Sequence, residues 1–213
     1  MTTLYASTDV APAVASTGYL ELIIGPMYSG KTSKLLELYK QFTFCGIKTL
    51  VINYDEDTRY SDTQLSSHDK IMIPCKQANS LTRDITSTDA TFLEAQVILI
   101  NEGQFFKDIV EWVNKAVTVY KKCVYVCGLD GDFNRQLFGN WLELIPMCDT
   151  VEKLHSFCSG CKKREALFSH RLTSEKEQKV IGSNNYVPLC RKCYDTEKEC
   201  KIVVTNSISA MHE

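Results

Sequence analysis

Residues 25–32 read Gly25-Pro26-Met27-Tyr28-Ser29-Gly30-Lys31-Thr32, which fits the pattern G-x-x-x-x-G-K-[ST] of a phosphate-binding loop. In such a loop the glycines allow the backbone to point its N–H groups at phosphate oxygens. Lys31 is expected to reach the β- and γ-phosphates, and the hydroxyl of Thr32 is expected to bind Mg²⁺. We therefore predict that residues 25–32 bind a nucleoside triphosphate.

The sequence on both sides of this loop supports that prediction. Residues 19–24 form an apolar run of strand length, and apolar residues recur at helical spacing over residues 35–42. Gly46 then offers a residue that can end the helix. A loop at the N-terminus of a helix also gains the partial positive charge of the helix, which favours phosphate.

Three further apolar runs, at residues 49–54, 97–100 and 123–127, are typical of buried strands. A helical pattern over residues 109–120 separates the last two runs. Strands that alternate with helices indicate an α/β fold with a mainly parallel sheet. Cys123 and Cys127 fall inside the last run, where we interpret them as small core residues.

Polar residues follow three of these predicted strands, at residues 55–59, 101–104 and 128–132. Ligands of parallel α/β sheets bind beyond the carboxyl ends of the strands. We therefore expect these three segments to lie near the phosphate-binding loop.

The composition narrows the class of protein. The chain has 213 residues, 44% of them hydrophobic and 23% charged, and its net charge is -2. These values are typical of a globular protein and give no basic surface for nucleic acid. No apolar run is long enough to span a bilayer, and the N-terminus lacks the pattern of a signal peptide. We expect a cytoplasmic protein with no nucleic-acid or membrane partner.

The residue pattern of the sequence changes near residue 150, where the apolar runs become shorter and paired cysteines begin. We predict a nucleotide-binding domain at residues 18–149 and a small metal-binding domain at residues 150–194. Residues 1–17 are predicted to be a disordered tail, and residues 195–213 a flexible one.

Two C-x-x-C pairs predict a metal site in the second domain. They read Cys158-Ser159-Gly160-Cys161 and Cys190-Arg191-Lys192-Cys193. Four thiolates at such a spacing suit one tetrahedral Zn²⁺ with no open position, so we predict structural zinc rather than redox chemistry. We expect His155 to be hydrogen-bonded and to stay outside the site.

Asn101 and Glu102 come directly after a predicted buried strand. In phosphoryl-transfer enzymes of this architecture, such a strand end presents a metal-linked carboxylate or a base to the γ-phosphate. Glu102 is therefore the candidate for the group that takes a proton from an attacking hydroxyl.

Over residues 18–194 the chain resembles the type II thymidine kinases, the cellular and poxviral-like family. The motifs that carry the resemblance are the phosphate-binding loop, Asp57-Thr58-Arg59-Tyr60, Glu102-Gly103-Gln104-Phe105-Phe106, Leu129-Asp130-Gly131-Asp132-Phe133, the two C-x-x-C pairs and Val180-Ile181-Gly182 before Tyr186.

The resemblance implies a RecA-like parallel α/β domain, followed by a loop anchored by zinc, called the lasso. It implies transfer of the γ-phosphoryl group of ATP to the 5′-hydroxyl of thymidine, a homotetramer, and feedback inhibition by dTTP.

The resemblance also implies roles for individual residues. Glu102 is similar to the general base, Arg59 to a cation that stabilises charge on the phosphoryl group, and Lys31 to a catalytic lysine. Further nucleotide contacts are implied for Asp57, Thr58, Asn101 and Gln104. The implied nucleoside pocket consists of Met27, Phe105, Leu129, Phe133, Phe138, Ser169, Val180, Ile181, Gly182 and Tyr186.

One position departs from the family. Asn101 stands where the family usually has aspartate, so we expect it to hold Mg²⁺ only through a bound water. This leaves open a family member weakened by Asn101. A zinc-ribbon P-loop ATPase or nucleotide-binding module that acts on nucleic acid or protein is a second alternative, although the near-neutral charge argues against its nucleic-acid version.

Overall fold

The computed structural model describes residues 17–55, 64–66, 72–173, 175, 177–179 and 185–196. The predicted tails at residues 1–17 and 195–213 therefore lie almost entirely outside the described residues. Among the helices of the described part, none combines the length and the apolar character needed to cross a membrane.

The predicted strands and helices are present. The strands are β1 (Tyr19–Gly25), β2 (Thr49–Tyr54), β3 (Gln64–Ser66), β4 (Met72–Pro74), β5 (Lys76–Ala78), β6 (Val97–Ile100), β7 (Cys123–Leu129), β8 (Thr150–Lys153), β9 (Ser156–Phe157), β10 (Glu165–Ala166), β11 (Phe168–Arg171) and β12 (Tyr186–Leu189). The helices are α1 (Lys31–Phe44), α2 (Leu81–Asp84), α3 (Ala90–Glu94), α4 (Ile109–Thr118) and α5 (Arg191–Asp195), with 3-10 turns at Gly103–Phe105 and Trp141–Met147.

The main sheet has six strands in the order β5-β2-β6-β7-β1-β8. Each pair of neighbours in it is parallel. The prediction of a parallel α/β fold is therefore confirmed. Because the strands are parallel, the segments after β1, β2, β6 and β7 all emerge at one edge of the sheet.

Both faces of the sheet are covered, which explains why the sequences of its central strands are continuous apolar runs. Leu22 of β1 joins the core on the side of α4, and Ile23 joins the core on the side of α1. Cys123 and Cys127 are buried on the α1 side, as predicted for core residues.

The sheet extends beyond the predicted domain boundary at residue 150. Strand β8 pairs in parallel with β1, from Glu21 opposite Thr150 to Ile24 opposite Lys153. The smaller module follows it, with β9 paired to β10 and β11 paired to β12.

Candidate active site

The phosphate-binding loop lies between β1 and α1 and depends on glycine at its start. Gly25 has a φ of 154°, and a Cβ atom there would lie 2.5 Å from the carbonyl oxygen of Leu154. Gly30 has a φ of 85° and forms the N-cap of α1. A larger residue at position 25 would push the loop away from the backbone that follows β8.

Within the loop, Lys31 is folded back onto its own backbone. Its ammonium donates to the carbonyl of Pro26 at 2.6 Å and lies 3.5 Å from the hydroxyl of Ser29. Thr32 lies in the first turn of α1 and is half-buried. Lys31 and Thr32 are thus the first two residues of α1, directly after Gly30.

Glu102 follows β6 in an unusual backbone conformation, with a φ of 56°. Left-handed φ values are uncommon outside glycine and, when the surroundings hold them, often occur at functional sites. The side chain of Gln104 donates to the carboxylate of Glu102 at 2.5 Å and accepts from the backbone N–H of Leu129 at 3.0 Å. Gln104 therefore fixes the Glu102 carboxylate to the end of β7.

Asn101, beside Glu102, is 2% exposed. Its amide nitrogen donates to Asn53 at 2.8 Å, and its oxygen accepts from the thiol of Cys127 at 3.0 Å. Asn53 donates in turn to Gln77 at 3.2 Å. Burial raises the pKa of Cys127 to about 12, so this thiol stays protonated and can donate.

Aromatic residues form one wall beside this edge. The ring of Phe105 lies 5.1 Å from Tyr54 and 5.3 Å from Phe138, the latter at an interplanar angle of 89°. The ammonium of Lys179 lies 4.7 Å from the Tyr54 ring centre and 5.0 Å from that of Phe105. These rings are tilted or perpendicular to one another and form an apolar cluster, and the face of an aromatic ring is a surface that can bind a planar base.

The smaller module contacts the sheet edge through further residues of the implied pocket. The hydroxyl of Ser169, which is 4% exposed, accepts from the backbone N–H of Met27 at 2.9 Å. This bond joins β11 directly to the phosphate-binding loop. The ring centres of Phe133 and Tyr186 lie 3.8 and 5.1 Å from the guanidinium carbon of Arg171.

The four paired cysteines converge in the smaller module. The sulfurs of Cys158, Cys161, Cys190 and Cys193 all lie within 4.8 Å of one another, and those of Cys161 and Cys190 are 3.9 Å apart. Tetrahedral zinc with Zn–S bonds of about 2.3 Å needs sulfurs about 3.8 Å apart, so the cluster fits Zn²⁺.

The electrostatics of this cluster also suit a metal. The backbone N–H of Lys163 and other donors lower the pKa of Cys161 to about 6. Burial raises the pKa of Cys158, but backbone hydrogen bonds outweigh burial and lower it overall. Thiolate is the form that binds zinc. His155 lies 3.0 Å from the carboxylate of Glu165, consistent with its predicted place outside the site.

Comparison with known proteins identifies the family. The family model for thymidine kinase matches residues 18–194. The chain belongs to the thymidine kinase family.

Individual thymidine kinases align over most of their length. The cytosolic thymidine kinase of Gallus gallus is 39% identical over 178 residues, which cover 83% of this chain and 77% of that protein. The thymidine kinase of Vaccinia virus (strain Western Reserve) is 42% identical, over 83% of this chain and 97% of the viral protein. The cytosolic enzyme of Cricetulus griseus is 42% identical, over 83% and 73%.

Some residues that the thymidine kinase resemblance implies lie outside the described part of the chain. They are Asp57, Thr58, Arg59, Val180, Ile181 and Gly182. The other implied residues cluster along the C-terminal edge of the sheet or on the smaller module that touches it.

Several residues that contact the implied thymidine kinase site were missed from the sequence. Arg171, Gln178 and Lys179 contact implied pocket residues or their supports. The alternation of β11 offered one signal, because Arg171 lies two residues after Ser169 and both are buried. Asn53 offered none, because a single amide at a strand end has many possible partners.

Proposed function

We propose that this chain is an ATP-dependent thymidine kinase, which transfers the γ-phosphoryl group of ATP to the 5′-hydroxyl of thymidine and gives dTMP. Membership of the thymidine kinase family carries this proposal. The site supports it, because the phosphate-binding loop, Glu102 and an aromatic wall occur at one sheet edge. Such an arrangement suits a nucleotide and a nucleoside bound side by side.

In the proposed reaction the loop residues 25–32 hold the triphosphate. The backbone N–H groups of the loop and of the first turn of α1 point at the phosphates, and Lys31 exchanges its neutral carbonyl partner for phosphate oxygens. A charge-assisted contact of this kind is stronger than the contact with Pro26 that it replaces. Arg59 is proposed to add positive charge, and Asp57 and Thr58 to contact the nucleotide.

Glu102 is proposed to accept the proton of the 5′-hydroxyl as this oxygen attacks the γ-phosphorus. The hydrogen bond from Gln104 supports this role, since it limits the rotation of the carboxylate that would take the proton. Met27, Phe105, Leu129, Phe133, Phe138, Ser169, Val180, Ile181, Gly182 and Tyr186 are proposed to line the nucleoside pocket.

Two metals are proposed, with separate tasks. Zn²⁺ on the four cysteines is structural, because the protein fills its coordination shell. Mg²⁺ neutralises phosphate charge when it is bound. Thr32 offers it a hydroxyl oxygen, and Asn101 Oδ1 has one lone pair left for a metal-bound water after it accepts from Cys127.

The assembly, regulation and location are also proposals. A homotetramer, feedback inhibition by dTTP and a cytoplasmic location are supported only by membership of the family and, for location, by cytosolic relatives.

One assay tests the proposed function. Purified protein is incubated with ATP, Mg²⁺ and thymidine, deoxyuridine or deoxycytidine, and the monophosphate is measured. Formation of dTMP is expected. Hydrolysis of ATP without a phosphorylated nucleoside would contradict the proposal and favour a P-loop ATPase.

A further inference from the structure

Arg171 is an almost fully buried cation at the end of β11. Only 5% of the surface of this residue is exposed. The guanidinium donates to the backbone carbonyls of Glu175 at 3.0 Å, Glu177 at 2.5 Å and Gln178 at 3.0 Å. A buried guanidinium needs several acceptors to offset the loss of water, and here three come from one short segment.

The same guanidinium contacts the aromatic residues of the implied nucleoside pocket. It donates to the phenol oxygen of Tyr186 at 3.1 Å through Nε, and also through a terminal nitrogen. Its central carbon lies 3.8 Å from the ring centre of Phe133. A planar guanidinium can stack on one ring while its edge donates hydrogen bonds to other groups.

Gln178 provides a second attachment for this segment. Its side-chain nitrogen donates to the carboxylate of Asp132 at 2.8 Å and to the carbonyl of Leu137 at 3.1 Å. The other carboxylate oxygen of Asp132 accepts from the backbone N–H groups of Asn134 at 2.8 Å and Gln136 at 2.9 Å. Asp132 thus holds the turn that carries Phe133 and also binds Gln178.

The residue after Gln178 reaches the aromatic wall formed by Tyr54, Phe105 and Phe138. Lys179 lies over the rings of Tyr54 and Phe105. The segment fixed by Arg171 and Gln178 therefore connects the ring of Phe133 on one side to the ring of Phe105 on the other.

We propose that Arg171 is a positioning residue for the nucleoside, and that it acts together with Gln178 and Asp132. By fixing the backbone of residues 175, 177 and 178 against Phe133 and Tyr186, it sets the distance between these two rings and the rings of Tyr54 and Phe105. This inference rests on the proposed function. It assigns to Arg171 an effect on nucleoside binding and none on ATP binding, because the guanidinium contacts Phe133, Tyr186 and the backbone of residues 175, 177 and 178 on the nucleoside side of the site.

The test uses steady-state kinetics of the full-length chain with substitutions Arg171→Lys and Gln178→Ala. Lysine keeps the charge but cannot stack as a plane or donate to three carbonyls and a phenol together. Because hydrogen bonds from charged groups are among the stronger ones, we expect the KM for thymidine to rise about tenfold in Arg171→Lys. Gln178→Ala should raise it about threefold, since a neutral side chain is removed. The KM for ATP and the zinc content should stay within about twofold in both.

Arg191→Lys is the matched control. Arg191 is an exposed arginine on the same module, and its guanidinium lies 5.0 Å from the Phe168 ring. It makes the same kind of contact with an aromatic ring outside the segment in question, so all kinetic constants should remain unchanged.

The outcomes separate the two proposals. A parent protein that phosphorylates no nucleoside would overturn the proposed function, and this inference with it. An active parent in which both variants keep the parental thymidine KM would overturn the inference alone. Equal rises in both KM values, or loss of zinc, would reduce Arg171 to a purely structural role. If Arg171→Lys does not fold, an unchanged thymidine KM in Gln178→Ala is sufficient to reject the inference.

Discussion

The phosphate-binding loop and the cysteine-rich module both contribute residues to the candidate site, and they are supported differently. The loop follows β1, which has neighbours on both sides and a buried side chain at Leu22, Ile23 and Ile24. The module has a small core of Cys158, Ala166, Leu189, Cys190 and Cys193, of which three are proposed zinc ligands, with half-buried Cys161, Val187 and Tyr194 packed against it. The triphosphate side is therefore supported by hydrophobic burial, whereas the module on the nucleoside side is supported by polar contacts and, in our proposal, by Zn²⁺.

This comparison implies that the two sides can be damaged separately. A change in the module should raise the KM for the nucleoside more than the KM for ATP. A change at the sheet edge should lower the rate of the chemical step. Four substitutions test this division, and they are ordered by the size of the expected effect.

Glu102→Gln tests the sheet edge most strongly. The amide keeps the shape of the side chain but cannot accept the proton of the 5′-hydroxyl, and loss of a general base lowers turnover by about 10²–10⁴-fold. ATP binding should be unchanged. Turnover is measured by dTMP formation, and ATP affinity by calorimetry.

The control for this variant is Glu111→Gln, a change to an exposed glutamate in the first turn of α4. It should retain parental turnover. Nearly parental turnover in Glu102→Gln itself would be hard to reconcile with a base at that position.

Cys190→Ser tests the module. Structural zinc contributes much of the folding free energy of small domains, and serine is a poor zinc ligand. We expect less than one zinc per chain and a KM for thymidine that rises more than the KM for ATP. Metal analysis and kinetics on the same preparation measure both.

Cys45→Ser serves as the control, because Cys45 is exposed and lies at the end of α1. If Cys190→Ser keeps its zinc and its thymidine KM, the module does not depend on the metal as proposed, and the comparison fails on that side.

Asn101→Asp tests how the sheet edge holds Mg²⁺. A charge-assisted contact is roughly twice as strong as a neutral one, so the half-saturating Mg²⁺ concentration should fall by a few-fold. The substitution also removes the N–H group that donates to Asn53 and leaves two acceptors facing each other, so some stability should be lost. Titration of Mg²⁺ against dTMP formation measures the first effect.

Asn53→Asp is a matched control, because it adds the same charge on the neighbouring strand, while its carboxylate still accepts from Asn101 and only the donations of Asn53 to Gln77 and Tyr54 are lost. Its magnesium requirement should change less than that of Asn101→Asp. An unchanged or weaker magnesium requirement in Asn101→Asp would contradict the idea that the asparagine simply weakens the metal site, and would point to another carboxylate in that role.

Cys127→Ala gives the smallest expected effect. It removes the thiol that donates to buried Asn101 Oδ1, and an unsatisfied buried acceptor costs about 1–3 kcal/mol. Cys123→Ala, on the same face of the same strand, loses a similar volume and should cost less by about 1 kcal/mol. Urea unfolding of both variants measures the difference. Equal costs would show that the thiol contributes only its volume.

The parts predicted from the sequence are those whose signal is local. The phosphate-binding loop needs eight consecutive residues, and each C-x-x-C pair places two ligands within one turn. The core strands consist of apolar residues because both faces of the sheet are covered. The strands β6 and β7 could therefore be located from the amino-acid sequence alone.

The parts not predicted depend on contacts between distant residues. Strand β8, with the sequence Thr150-Val151-Glu152-Lys153, has mostly exposed side chains. Its sequence therefore contains no apolar run that would predict a strand. In the sequence Arg171 is one of several charged residues, and only the structure shows that it is buried at the end of β11. Asn53 and Asn101 became partners only because β2 and β6 are neighbours in the sheet.

The position of β8 determines where the chain can be divided. A fragment that ended at residue 149 would keep the phosphate-binding loop but lose the strand that covers the outer side of β1. The backbone N–H and C=O groups on that side of β1 would then face solvent along an apolar strand, which is a template for association between chains. Such a fragment is expected to aggregate, whereas one that ends after Leu154 keeps this edge paired.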